Sequence, residues 1–290
     1  MSEPNTFPSV SQSDIVKSSR FWKEDGDFVL VAKNEAFKVH YDRISTPKIR
    51  GLPYDITLEP SFGQRVARLP SEVDPADFTI FLEHLYREID ETQLTESASL
   101  DRLCALIRVS SDGQLQDPDV YASARSDLEQ SLKPDAIGSL EENYIGNAED
   151  ILSVVLHYDI TSLRKRLLYT VSTTSHFDSG PSSHPSLSTS TTTLLASLQD
   201  NLISHFTPIL FTVATASHMA CTDVFAEKWM PLVIGPALET SGLCRPVETL
   251  RGIQEIEWEK EGVCEECCKE KREEWEGEIR VIWEKVDGWI

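Results

Sequence analysis

The chain has 290 residues, with 27 Lys and Arg against 48 Asp and Glu, which gives a formal net charge of −21. Because binding to phosphates needs clustered cationic side chains, this charge argues against nucleic acids and anionic membrane surfaces as partners. The hydrophobic fraction of 40% is large enough to form a core, which excludes a wholly disordered chain.

Residues 1–18 are rich in Ser and Pro and contain neither the basic segment nor the apolar segment of a secretory signal. The most apolar stretch, 207–216, is about half as long as a membrane span and contains Pro208. We therefore expect a disordered tail at 1–18 and an intracellular protein, cytoplasmic or nuclear, with no membrane partner.

Two short strands are expected near the N-terminus. Residues 28–32 are continuously apolar, residues 36–40 alternate between apolar and polar, and the polar residues 33–35 separate them. This pattern is typical of a β-hairpin. A third strand is expected at 65–69, where it ends before Pro70.

Helical periodicity begins after Pro70. Asp74 and Pro75 mark a helix start, and apolar residues then follow at helical spacing: Phe78, Phe81, Leu82, Leu85 and Tyr86. Similar spacing predicts helices near 100–109, 118–132 and 147–172. Residues 173–193 are almost all Ser, Thr, Pro, His and Gly, which is typical of a linker.

The C-terminal segment carries an apolar stripe at helical spacing: Trp275, Ile279, Ile282, Val286 and Ile290. One interpretation is that the stripe packs inside the protein's own helical bundle. The other is that it is offered to a partner protein, with Trp275 or Trp283 as the anchor.

Two motifs carry a family resemblance. The first motif is an acid followed by two strands, the second of which ends in Phe-x-apolar-His. Asp27 is the acid, and Phe37 and His40 are the Phe and His. The strand-to-helix motif is matched by Leu69, Pro70, Asp74, Pro75, Asp77, Phe78, Leu82, Leu85 and Tyr86. In these motifs the chain resembles a BTB/POZ domain, and as a whole it is similar to uncharacterised fungal BTB-domain proteins.

The resemblance implies a domain that binds other proteins, either as a homo- or hetero-oligomer or as an adaptor, including a cullin-linked one. Residues 45–63 depart from the family pattern in the region that contributes to dimerisation, so the resemblance leaves the oligomeric state open. We predict an α/β chain of the α+β type, mostly helical. The predicted parts are a tail (1–18), a BTB/POZ-like domain (19–132), a helical extension (133–172), a linker (173–193) and a helical module (194–290).

The cysteines form the most specific local motif in the sequence, and this motif suggests a metal site. Cys264 and Cys267 form a Cys-x-x-Cys motif, which supplies two zinc ligands from one turn, and Cys268 follows directly. Cys244 and Cys268, or a histidine distant in sequence, would complete the site, so zinc is the candidate cofactor. The competing interpretation is reduced thiols packed against Trp258 or Trp275.

The sequence contains no nucleophile elbow, phosphate-binding loop or metalloprotease motif. Asp27 and His40 are interpreted as structural residues of the fold, and His157, His205 and His218 as core or rim residues. We therefore predict a non-catalytic protein that acts through protein–protein interaction. The alternative is a zinc-binding or redox-sensitive protein that uses Cys264, Cys267 and Cys268.

Overall fold

The computed structural model describes residues 15–44, 57–59, 63–88, 96–111, 114–174 and 187–290. The chain divides into two compact units, Met1–Ser131 and Leu132–Ile290, next to the predicted boundary at residue 132. The predicted fold class, a mostly helical α+β chain, is confirmed.

Three predicted segments fall mainly outside the described residues: the tail (1–18), the linker (173–193) and the segment that departs from the family pattern (45–63). Three elements nevertheless enter these segments. A strand begins at Val16, within the predicted tail, and a helix begins at Thr189, within the predicted linker. A short strand, Thr57–Glu59, lies in the segment 45–63.

The first unit contains a mixed sheet of five strands within the described residues. These are β1 (Val16–Trp22), β2 (Phe28–Ala32), β3 (Glu35–Val39), β4 (Thr57–Glu59) and β5 (Gln64–Arg68), in the order β1-β3-β2-β5-β4. The predicted hairpin is confirmed, since β2 and β3 are antiparallel with Phe28 opposite Val39. The third predicted strand is β5, which runs parallel to β2.

The helices of the first unit are α1 (Tyr41–Ile44), α2 (Pro75–Tyr86), α3 (Glu96–Ser110) and α4 (Pro118–Leu132), the last of which ends at the boundary. Helix α2 begins as predicted, because the Asp74 side chain accepts a hydrogen bond from the Ala76 N–H at 3.0 Å. Its apolar face meets the sheet, where the rings of Phe78 and Phe37 are 5.0 Å apart and nearly perpendicular.

The described residues of the second unit form helices joined by turns and loops, without a strand. It contains α5 (Glu142–Ile145), α6 (Ala148–His157), α7 (Thr161–Thr173), α8 (Thr189–Phe211), α9 (Met219–Trp229), a π-helix (Met230–Ile234), α10 (Gly235–Glu239), α11 (Pro246–Glu255), α12 (Trp258–Glu261) and α13 (Glu265–Val286). None of the helices in the described ranges combines the length and the apolar character needed to cross a membrane.

Two helix predictions in this unit need correction. The single helix expected at 147–172 is two helices, because Asp159 adopts a left-handed backbone (φ 50°) and ends α6. The C-terminal stripe is buried at Trp275, Ile279, Ile282 and Val286, but α13 ends at Val286, so Ile290 is outside the helix.

Four aromatic side chains, Phe225, Trp229, Trp258 and Trp275, pack together in the second unit and are called the aromatic cluster below. The ring of Trp258 lies 4.9 Å from Phe225, 6.2 Å from Trp229 and 6.2 Å from Trp275. Since these residues belong to α9, α12 and α13, the cluster fixes those three helices against one another.

The first unit contains a buried charge. The Glu83 side chain is only 4% exposed, lies 3.1 Å from Arg102 Nη1 and also pairs with Arg20. Removing one partner of a buried pair leaves the other charge without compensation, which is strongly destabilising.

We expect Glu83→Gln to lower the free energy of unfolding of the first unit by about 3 kcal/mol, because the buried Arg102 would lose the carboxylate of Glu83. Urea denaturation followed by circular dichroism measures the change. The matched control is Glu129→Gln, which removes a partly exposed pair with Arg125 one helical turn away and is expected to cost about 0.5 kcal/mol or less. Equal effects of the two substitutions would contradict the prediction.

Candidate metal centre

Four side chains of the second unit, His218, Cys221, Cys264 and Cys267, bring one ligand atom each to a common point. These four atoms all lie within 4.8 Å of one another. His218 Nδ1 is 3.2 Å from Cys264 Sγ and 3.5 Å from Cys267 Sγ, and the Sγ atoms of Cys221 and Cys264 are 3.6 Å apart. In a tetrahedral zinc site with Zn–S bonds of about 2.3 Å, two sulfurs lie about 3.8 Å apart, so the group has the right size.

Local helix geometry brings each pair of residues together. His218 is the N-cap of α9 and Cys221 is its third residue; Cys264 and Cys267 hold the same two positions in α13. The side chain of an N-cap residue lies beside the third residue of its helix. Neither N-cap side chain caps its own helix, so both are available to the group.

The aromatic cluster brings the two helix starts together. On α9, Cys221, Phe225 and Trp229 recur every four residues and are buried. On α13, Cys267 and Trp275 are two turns apart on the buried face. The same stripes that pack the aromatic rings therefore place Cys221 and Cys267 at one end of the packed interface.

The electrostatics of the site favour a thiolate at Cys267 and disfavour one at Cys264. Backbone N–H groups at a helix start point toward the site, and the Cys264 N–H lies 3.4 Å from Cys221 Sγ. The hydrogen bond with the Ser217 hydroxyl lowers the pKa of Cys267 to about 7. For Cys264, the Cys267 N–H lowers the pKa, but the hydrogen bond with the Cys267 side chain and the loss of hydration together raise it above its ordinary value.

The structure brings together two of the four cysteines proposed as zinc ligands. Cys264 and Cys267 belong to the group, whereas Cys268 does not: its Sγ contacts the Val263 carbonyl at 3.8 Å. Burial, and the nearby Glu259 carboxylate, raise the pKa of Cys268 to about 11. Cys244 lies in the turn before α11 and is also outside the group.

The remaining positions of the group are held by His218 and Cys221. His218, expected to be a core or rim residue, is exposed. Sequence analysis anticipated a distant histidine but not this one, and it missed Cys221. A signal was present: His218-x-x-Cys221 has the same spacing as Cys264-x-x-Cys267, and each motif spans the start of a helix.

Asp27 and His40 make hydrogen bonds within the first unit. Asp27 Oδ1 accepts a hydrogen bond from the Tyr41 N–H at 2.8 Å. The Tyr86 hydroxyl lies 2.9 Å from the His40 N atom and 3.0 Å from its Nδ1, which joins the end of β3 to α2. Burial raises the pKa of Tyr86, so its hydroxyl stays protonated.

The other motif residues also serve the fold of the first unit. Asp77 binds Arg108 through two hydrogen bonds of 2.6 and 2.9 Å, which ties α2 to α3. The Leu69 N–H donates to the Val31 carbonyl at 2.8 Å, and the Pro70 carbonyl accepts from the Val73 N–H at 3.1 Å. Phe78 and Leu82 are fully buried, while Leu85 is half-buried.

No protein-family model matches the chain, and comparison with curated proteins and with solved structures found no match. The BTB/POZ resemblance therefore stays a prediction based on the two motifs. The metal centre has to be argued from its own geometry and chemistry.

In protein stripped of metal with a chelator, we expect iodoacetamide at pH 7.5 to alkylate Cys264 well before Cys268. Cys264 is partly exposed, whereas Cys268 is fully buried and has a pKa of about 11. Peptide mass spectrometry over time measures both rates. Alkylation of Cys268 as fast as Cys264 in the folded protein would show that Cys268 is not packed as described.

A bidentate ion pair joins α12 to α13, the helix that carries Cys267. Arg272 Nη1 and Nη2 lie 2.7 and 3.0 Å from the two oxygens of Glu259, joining α13 to α12. These hydrogen bonds lower the pKa of Glu259 from 4.5 to about 2. Because the folded-state pKa is depressed, the stabilisation is present above pH 4.5 and is lost as the pH falls toward 2.

We expect Glu259→Gln to lower the free energy of unfolding at pH 7 by about 1 kcal/mol or less, since the pair is partly exposed. The difference from the unsubstituted protein should shrink as the pH is lowered from about 5 to about 3. Thermal unfolding at several pH values tests this. Glu257→Gln, which removes a more exposed pair with Lys260, is the control; a difference for Glu259→Gln that does not change with pH would refute the prediction.

Proposed function

We propose that the second unit is a zinc-binding module in which His218, Cys221, Cys264 and Cys267 hold one structural Zn²⁺. The observation that supports this is the convergence of three sulfurs and one imidazole nitrogen within 4.8 Å. Thiolate and imidazole ligands suit zinc and disfavour Mg²⁺ and Ca²⁺, which prefer oxygen. Four protein ligands leave no open position for a water or a substrate, which favours a structural role over a catalytic one.

A metal at this point would link two helices that are far apart in sequence. Cys221 and Cys264 are separated by 43 positions, and the metal would join the start of α9 to the start of α13. Because the unfolded chain lacks a preformed site, such a link would add the free energy of metal binding to that of folding. It would also replace the thiol protons, so affinity for zinc should rise with pH.

We expect the purified protein to contain one zinc ion per chain, measured by elemental analysis. Cys221→Ser and Cys264→Ser should each lose most of the metal, because three ligands hold zinc more weakly than four. The matched controls are Cys268→Ser and Cys244→Ser, which change cysteines outside the group and should keep it. Retention of full zinc by both Cys221→Ser and Cys264→Ser, or absence of zinc after refolding with excess metal, would reject the site.

We also propose that the chain is a non-catalytic interaction protein whose first unit is a BTB/POZ-like domain. This proposal is supported by the two sequence motifs and by the use of their residues in the fold: Asp27, His40, Asp77 and Tyr86 are engaged in hydrogen bonds within the unit. The partner would be a second copy or another protein, including a cullin in an adaptor complex. The charge of −21 favours a partner with a basic surface.

Light scattering and affinity purification from the native cell test the interaction proposal. We expect either a concentration-dependent oligomer or a specific protein partner. A strict monomer that captures no protein would contradict it without affecting the zinc proposal, because the zinc ligands lie in the other unit.

A further inference from the structure

We propose that Cys264 is a site of reversible oxidation, at which a small neutral peroxide produces a disulfide with Cys221 and so releases the zinc ion. This inference rests on the proposed function, because the metal holds the reacting sulfurs as thiolates and its loss is the consequence. The exposure of Cys264, its distance from Cys221 and the ligands left after oxidation lead to this assignment.

Cys264 is the thiol of the group that an oxidant can reach. It is partly exposed, whereas Cys221 is 5% exposed and Cys267 is 0% exposed. A zinc-bound thiol is deprotonated, so in the loaded protein all three sulfurs are thiolates. Exposure then decides which of them meets the oxidant first.

The charge around Cys264 selects the class of oxidant. Three exposed acids follow it on α13, Glu265, Glu266 and Glu270, against a single Lys in the same stretch. Together with the net charge of −21, they disfavour the approach of an anionic oxidant such as glutathione disulfide. Hydrogen peroxide is uncharged and small, so neither the acids nor the partial burial of the thiol excludes it.

The disulfide forms in two steps. The Cys264 thiolate attacks one oxygen of hydrogen peroxide: an S–O bond forms, the O–O bond breaks, and the hydroxide that leaves takes a proton from solvent to give water. The sulfur of Cys264 is then a sulfenic acid. The Cys221 thiolate attacks this sulfur, so that the S–S bond forms, the S–O bond breaks and the departing hydroxide becomes a second water. The two sulfurs together lose two electrons, which reduce the peroxide.

The geometry favours Cys221 as the second thiol. Its Sγ lies 3.6 Å from that of Cys264, so the two sulfurs need to approach by about 1.5 Å to bond, which small rotations of both side chains provide. The Sγ of Cys267 is engaged elsewhere, at 3.5 Å from both the Ser217 hydroxyl and His218 Nδ1. Because the aromatic cluster packs α9 against α13, the disulfide joins two helix starts that are held together without the metal.

The disulfide removes two of the four zinc ligands. His218 and Cys267 remain, and two ligands hold zinc far more weakly than four. The group then has two states: the reduced form binds zinc, and the oxidised form carries a covalent link between the same two helices. Reduction of the disulfide restores the four ligands.

The test treats the full-length, zinc-loaded protein with an excess of hydrogen peroxide. Released zinc is measured with a colorimetric chelator, and disulfides are located by peptide mass spectrometry without reduction. We expect the loss of one zinc ion per chain at the same rate as the appearance of one disulfide between Cys221 and Cys264. Reduction with a phosphine followed by added zinc should restore the metal content, and circular dichroism should show that the helices persist throughout.

The matched controls are Cys268→Ser and Cys244→Ser, which change cysteines outside the group and should release zinc and form the disulfide as the unsubstituted protein does. Zinc content before the peroxide is added separates the two proposals: a protein that never holds zinc contradicts the metal site itself. A protein that holds zinc and keeps it under peroxide, with its thiols reduced, contradicts only the oxidation site. Zinc release without a disulfide, or with one between Cys264 and Cys267, would also overturn the inference.

Discussion

The packing of Trp258 between α9 and α13 is the interaction on which the second unit depends. Its ring contacts Phe225, Trp229 and Trp275, and its Nε1 donates to the Ile253 carbonyl at 3.0 Å, so both its apolar surface and its polar atom are satisfied. Because interiors are packed densely, α9 and α13 cannot slide past this ring without opening a cavity. The candidate metal centre lies at the N-terminal ends of the same two helices, so the packing preorganises it.

Two buried cations of the second unit are compensated within the fold. Buried cations have acceptors nearby: Arg166 donates to the carbonyls of Leu132 and Ser139, and Lys271 pairs with Glu274. Because each of these positive charges has an acceptor, the cost of burying it is reduced.

Sequence patterns predicted the elements whose signals are local. The β2–β3 hairpin follows from apolar runs around a polar turn, and α2 follows from Asp74 and Pro75 ahead of a helical stripe. The break between α6 and α7 was missed, because the apolar periodicity continues across it while Asp159 adopts a left-handed backbone. Single-residue conformations of this kind depend on the surrounding packing and leave little trace in composition.

For the candidate metal centre too, local features follow from the sequence, whereas contacts between distant segments depend on the tertiary structure. The sequence by itself determined that each candidate pair is close together, because residues at the N-cap and third position of a helix share one turn whatever surrounds them. Of the two pairs, only Cys264 and Cys267 were predicted. The sequence could not determine that His218 and Cys221 meet Cys264 and Cys267, since that convergence spans 43 positions and depends on the aromatic cluster. The tertiary structure also decided against Cys268: one step along α13 rotates a side chain by about 100°, which turns this thiol away from the group.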